Sequence, residues 1–154
     1  MLHDNTAALE ALACALKIPL ALNDDGVCDL LLNGDALVTF EGSPQETTMR
    51  INGVVGDLPD PRSPQALRLL LQANFNGQGT GACSLGLDHV TGEVVLGRSV
   101  DVTTLGEAGL EPVVGEFANY LIYWRDNLLR LLSEEAMSAA DHPGLMATGP
   151  GMLA

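Results

Sequence analysis

The sequence predicts an α+β fold, with helices packed on one side of an antiparallel twisted sheet in the order α-β-β-β-α-β-β-α. Three observations carry that reading. Apolar residues recur at helical spacing in three separated stretches, period-two alternation fills the ground between them, and hairpin signals join the alternating runs. The 154 residues suit one domain, since a domain takes roughly 100–200 residues.

The elements follow in order. Leu9, Leu12, Ala13 and Leu16 fall at i, i+3, i+4 and i+7, one face of an amphipathic helix. Asp4, Asn5 or Thr6 can cap its start, and Pro19 stops it. Ile18, Leu20 and Leu22 alternate briefly before the turn signal Asp24-Asp25-Gly26. Cys28, Leu30 and Leu32 then mark a strand, and Asn33-Gly34 supplies the strongest short hairpin signal. The return strand runs from Ala36 to Glu41, with Val38 and Phe40 on one face. Met49, Ile51, Gly53 and Val55 alternate in a third strand.

Pro59, Pro61 and Pro64 make the next stretch a loop, and Pro64 suits the first turn of a helix whose buried stripe reads Leu67, Leu70, Leu71 and Asn74. The Gly-rich loop Asn76 to Gly81 ends that helix. A second hairpin takes Ala82 to Asp88 out and Glu93 to Val100 back. On its first strand Cys83, Leu85 and Leu87 face one way. Ala82, Ser84 and Gly86 leave the other face bare enough for a close neighbour. From Leu110 a stripe of Val114, Phe117, Leu121, Trp124, Leu128 and Leu131 marks a long helix, read here as laid across the sheet rather than as a coiled coil. The ordered domain is expected over residues 1–133, and 134–154, rich in Ser, Ala, Gly, Pro and Met, as a disordered C-terminal tail.

Composition excludes more than it identifies. Hydrophobic residues make up 47% of the chain, too many for an intrinsically disordered sequence. The formal charge is −13, and the seven basic residues are scattered, so there is no electrostatic footprint for a phosphate backbone and no attraction to an anionic membrane. The N-terminus carries Asp4 where a secretory leader would carry Lys or Arg, and no apolar run approaches the roughly 20 residues that cross a bilayer. Cys14, Cys28 and Cys83 are odd in number, widely spaced and set in apolar patterns, which reads as reduced, buried thiols of a cytosolic protein.

Catalytic and cofactor motifs fail on context. Gly77-x-Gly79-x-x-Ala82 matches a loose dinucleotide fingerprint, but that mechanism needs a strand before it and a helix after it, and here the order is reversed. Ala82-Cys83-Ser84-Leu85-Gly86 lies one residue from a nucleophile elbow, yet the strand runs on through Leu87 instead of turning into a helix. No two Cys or His residues have metal-ligand spacing, and Asp24-Asp25-Gly26 lacks the rest of a calcium loop. Neither a catalytic residue, a metal nor a cofactor is expected. The informative features are surfaces.

Taken together, the residues resemble a class I type III secretion chaperone, the Tir-chaperone family. The stretch Leu69-Leu-Leu-Gln-Ala-Asn-Phe-Asn, the Gly-rich loop, and Leu85-Gly-Leu-Asp-His-Val-Thr-Gly-Glu-Val-Val-Leu96 carry the likeness most specifically. Leu9 to Pro19, Asp25 to Gly34 and the Phe117 to Trp124 helix support it. The resemblance implies a cytoplasmic homodimer without enzymatic activity, which holds the N-terminal segment of a secreted effector in extended form and hands it to the secretion ATPase of the injectisome. Carried over from the family, the dimer interface would use Leu67, Leu70, Leu71 and Phe75 with Cys83, Leu85 and Leu87. Effector-binding candidates are Leu9, Leu12, Leu16, Leu20, Leu30, Val38 and Phe40, each also a candidate for the protein's own core. Two other functions are weighed. One is a regulator of the same fold that sequesters a secretion-control protein; the other is a small serine hydrolase using Ser84.

Overall fold

The structure, a computed structural model, describes residues 1–141, with side chains through residue 138. Helix α1 (Asn5–Leu16) is capped by Asp4, whose carboxylate accepts from the Ala7 amide at 2.9 Å, and it ends with Lys17 in the left-handed region at φ 57°. Asn5 is fully buried: its Nδ2 donates to the Ser43 and Thr48 carbonyls, both at 2.9 Å, and its backbone N–H to Glu46 at 2.8 Å. The start of α1 is thereby tied to the connection between the second and third strands.

Strands β1 (Val27–Leu32), β2 (Ala36–Glu41), β3 (Thr48–Asp57), β4 (Ser84–Leu87) and β5 (Glu93–Asp101) form one antiparallel sheet in the order β1-β2-β3-β5-β4. Asn33 and Gly34 both take positive φ, 51° and 85°, as the hairpin signal requires. A bulge between Val54 and Gly56 interrupts the pairing of β3 with β5.

Helix α2 (Pro64–Asn74) begins with Pro64 in its first turn and with the Ser63 hydroxyl accepting from the Ala66 amide. Its buried residues are Ala66 and Leu70, with Leu69 and Ala73 partly buried against the core. This shifts the stripe read from the sequence, because Leu67 and Leu71 face outward. Helix α3 (Glu111–Asp141) lies across the sheet, with Val114, Phe117, Leu121, Trp124 and Leu128 buried. Gly53 lets it approach: a Cβ there would sit 2.7 Å from a methyl of Leu121. The helix also continues through residues 134–141, past the expected domain boundary, helped by the Arg130–Glu134 pair at 2.7 Å. The remainder of the expected tail, 142–154, lies outside the described residues.

The strand faces carrying Cys28, Leu30, Val38, Phe40, Met49, Ile51, Val94 and Leu96 join the helices in one core. The opposite face, with Leu31, Leu37, Arg50 and Val54, is exposed. Cys28 and Cys83 are buried as expected. Cys14 is exposed, a correction that follows from α1 burying the Ala8-Leu9-Leu12 side while Cys14 sits on the far side.

Candidate binding surfaces

The seven side chains expected at an effector surface separate by burial. Leu9, Leu12, Leu20, Leu30, Val38 and Phe40 are buried, all within the continuous core. For these six the structure selects the core alternative, because a side chain packed beneath α1 and α3 cannot meet a partner without opening the domain. Leu16, 37% exposed, stands at the end of α1, and Ile18 just beyond the helix is exposed as well.

The candidate dimer residues divide into two layers. Leu70, Cys83 and Leu85 are buried beneath the surface, while Leu67, Leu71, Phe75 and Leu87 are exposed above it. Leu71 is 71% and Phe75 64% exposed, a heavy apolar load for a helix of 11 residues and its C-cap. The positions Leu67, Leu71 and Phe75 step by four, which aligns them as a ridge along α2 and its C-cap. That ridge and Leu87 flank the end of the sheet formed by β4.

On the outward face of the sheet, three exposed apolar residues stand outside the candidates drawn from sequence. Leu31, Leu37 and Val54 stand on the outward face of β1, β2 and β3, with Leu31 directly opposite Leu37. Their signal was present: each is the apolar exception among otherwise outward-facing positions such as Asp29, Thr39 and Asn52. Leu37 and Val54 line a shallow open depression of about 560 Å³ that reaches Val95, Gly86 and Val90. Next to it the small residues Ala82, Ser84, Gly97 and Ser99, with Arg50 and Arg98, line a second depression of about 430 Å³. The bare face foreseen for the fourth strand is therefore an exposed hollow.

The edge strand β1 presents main-chain groups as well as side chains. Asn23 closes its first residue: Val27 N–H donates to Asn23 Oδ1 at 3.0 Å, and Asn23 N–H donates to the Val27 carbonyl at 2.9 Å. Since Val27 turns these groups away from β2, strand alternation turns those of Asp29 and Leu31 the same way. Among the described residues, no hydrogen bond reaches them from that side.

The titratable groups have structural explanations. Burial pushes the Cys83 thiol up, opposed by the Arg98 guanidinium, and burial likewise raises Cys28. Amide bonds from Val90 and Thr91 hold the Asp88 carboxyl below its ordinary value, and Thr103 does the same for Asp101 through its hydroxyl and amide. Asp88 is thus engaged as the cap of the β4–β5 turn. Ser84 lies within β4, paired with Gly97, and its strand continues to Leu87 without an elbow. The Gly-rich segment likewise binds no helix N-terminus: α2 enters it and β4 leaves it. Gly79 packs on Ala73 and receives the Trp124 indole N–H on its carbonyl at 2.9 Å. Among the described residues no group of His, Cys, Asp or Glu could hold a metal ion, and no helix is long and apolar enough to cross a membrane.

Comparison with known proteins places this architecture. The fold resembles the ExsC–ExsE complex structure at a TM-score of 0.64 and 20% identity, over 80% of this chain and 95% of that one. It resembles the HopA1–SchA chaperone–effector complex at 0.59 and 21%, over 78% and 88% respectively. The heterodimeric ExoU–SpcU complex from the type III secretion system of Pseudomonas aeruginosa is similar at 0.61 and 17%, over 80% and 95%. No curated protein matches the sequence. At these identities the structures establish a shared fold. The family model for the Tir chaperone protein (CesT) family matches residues 7–125, from the first turns of α1 to the middle of α3 and most of the chain. The chain belongs to the Tir chaperone protein family.

Proposed function

We propose that this chain is a type III secretion chaperone that binds the N-terminal segment of one or more effectors in the bacterial cytoplasm. It keeps that segment soluble, extended and competent for delivery to the secretion ATPase of the injectisome. The observation that carries the reading is the open edge of β1 beside exposed apolar side chains. An extended segment can add there through the outward groups of Asp29 and Leu31, while Leu31 itself and Leu37 directly across the hairpin offer apolar contacts to its side chains. The fold is shared with a chaperone–effector complex and with a complex from a type III secretion system, which supports the same assignment.

Binding of this kind needs no bond to be made or broken, and the chain acts without catalysis of its own. The α2 ridge gives the second surface: Leu67, Leu71, Phe75 and Leu87, above Leu70, Cys83 and Leu85, join two copies in a homodimer. Two copies then present two β1 edges to one client.

Co-purification of the tagged protein from its native cytoplasm tests the assignment. Recovery of the N-terminal part of a secreted effector is expected; recovery of a transcriptional regulator instead would move the protein to a secretion-control role. Asp29→Pro removes one outward N–H from an edge position that tolerates proline, and is expected to weaken the recovered complex about tenfold or more while leaving the fold intact. Ser84→Ala is expected to change nothing, and loss of function in that variant would restore the hydrolase reading.

A further inference from the structure

The two edges of the sheet are not equivalent. Along β4 and the residue before it, main-chain groups turn outward at Cys83, Leu85 and Leu87, and of these the Cys83 amide and both groups of Leu85 are already engaged. The Cys83 amide donates to the Thr80 carbonyl at 3.0 Å. At Leu85 the Asn74 side chain makes both bonds that a neighbouring strand would make: the Leu85 amide donates to Asn74 Oδ1 at 2.8 Å, and Asn74 Nδ2 donates to the Leu85 carbonyl at 2.8 Å. A carboxamide carries a donor and an acceptor at the spacing of a peptide group, so one asparagine can imitate one residue of a strand.

Asn74 reaches that position because it is the last residue of α2, and the loop that follows doubles back tightly. Asn76 and Gly77 take positive φ of 52° and 67°, the Gly79 amide donates to the Ala73 carbonyl at 2.9 Å, and Trp124 pins Gly79 from α3. The helix end is thereby held against the strand edge. By contrast, the block on β1 stops at Val27, and Asp29 and Leu31 remain open.

We infer that Asn74 is a specificity-determining residue that closes β4 to strand addition, so that an extended partner segment, from a client or from a second copy, can join the sheet only at β1. Unpaired edges are templates for indiscriminate pairing, and a protein that must keep one edge open for a partner gains by sealing the other. The role in directing clients rests on the chaperone reading above. The closure of β4 does not, and it can be measured on the free protein.

Residue-resolved amide exchange with light scattering provides the test, on wild type, Asn74→Ala and Asn74→Asp. In wild type the Leu85 amide is expected to exchange as slowly as the amides of the central strand β5, despite its edge position. An unprotected Leu85 amide would overturn the inference without any variant. In Asn74→Ala, Leu85 exchange is expected to rise about tenfold relative to β5 in dilute protein. As concentration increases, assemblies larger than the wild-type species should form, with protection regained at Leu85 and Leu87. Asn74→Asp keeps the acceptor and loses the donor, so its Leu85 amide should stay protected even if the alanine variant fails to fold. A folded alanine variant with unchanged Leu85 exchange would overturn the inference. Faster exchange with no new assembly at any concentration would also overturn it, since Asn74 would then be a local cap only. Loss of client binding with β4 behaviour as expected would instead fault the chaperone reading alone.

Discussion

At the scale of single residues, small side chains and thiols decide more than their size suggests. Gly53 sits in the middle of β3 under α3, where a Cβ would meet Leu121 methyls at 2.7 and 3.0 Å and the Phe117 ring at 3.3 Å. Both neighbours are fully buried, so the helix must shift or the methyls must repack. Gly53→Ala is expected to destabilise the fold by about 1–3 kcal/mol, read as a lower urea midpoint with an unchanged slope. The thiols make a separate prediction. Burial holds Cys28 and Cys83 above the ordinary thiol value, while Cys14 is exposed. A raised value in the folded state means the contribution to stability is complete below the ordinary thiol value and fades as pH climbs through the raised one. Alkylation near pH 8 should therefore label Cys14 first, with Cys28 and Cys83 following only on unfolding or at more alkaline pH. Equal labelling rates at all three would contradict the burial on which the core argument depends.

At the scale of elements, α2 carries the main test of the assembly. Its inward side is built of Ala66, Leu70 and Ala73, and its outward side of Leu67, Leu71 and Phe75. Since Leu71 is mostly exposed in the single chain, Leu71→Asp removes almost no core packing. If the ridge joins two copies, this variant is expected to scatter light as a single chain of 16.1 kDa while melting as a folded protein; a dimer that persists would place the interface elsewhere. The same helix shows what was legible in sequence and what was not. Element order, hairpins and the long α3 stripe were readable because each rests on local chemistry: Asn33-Gly34 at positive φ, Pro64 in a first turn, Phe117 to Leu128 at helical steps. The inward side of α2 was not, because a short helix with leucines on two sides has two admissible stripes. Periodicity alone does not reveal that the alanine-lined side is the one that packs. Six of the seven effector candidates lie in the core for a related reason. Val38 and Phe40 fall on the inward phase of β2, while Leu37 between Ala36 and Val38 is as apolar as Val38 but falls on the outward phase, opposite Leu31; only the face distinguishes them. Sequence places Asn74 on the stripe of α2 but does not show it as a strand substitute, since its partner Leu85 comes close only through the intervening loop.

At the scale of the whole molecule, the charge and the exposed apolar surface belong to one argument. The chain carries −13 at neutral pH and also displays Leu31, Leu37, Leu67, Leu71 and Phe75 to solvent. Surfaces of that kind invite association with further copies, and net repulsion opposes it. The repulsion acts over about 8–10 Å at physiological ionic strength, so it limits close approach without hindering a partner that carries no such charge. As pH falls toward the isoelectric point near 4.2, carboxylates gain protons and the repulsion vanishes while the apolar surface is unchanged. Free protein is therefore expected to change from repulsive to attractive interparticle scattering and then to precipitate as pH approaches that value. Added salt at pH 7 should reproduce the first part of the trend. Leu71→Asp should delay the transition by shrinking the apolar surface, and a bound client segment should delay it by covering β1 and the apolar contacts beside it. Free protein that stays dispersed and repulsive at its isoelectric point would show that these surfaces are not adhesive, and the acidity would then need another explanation.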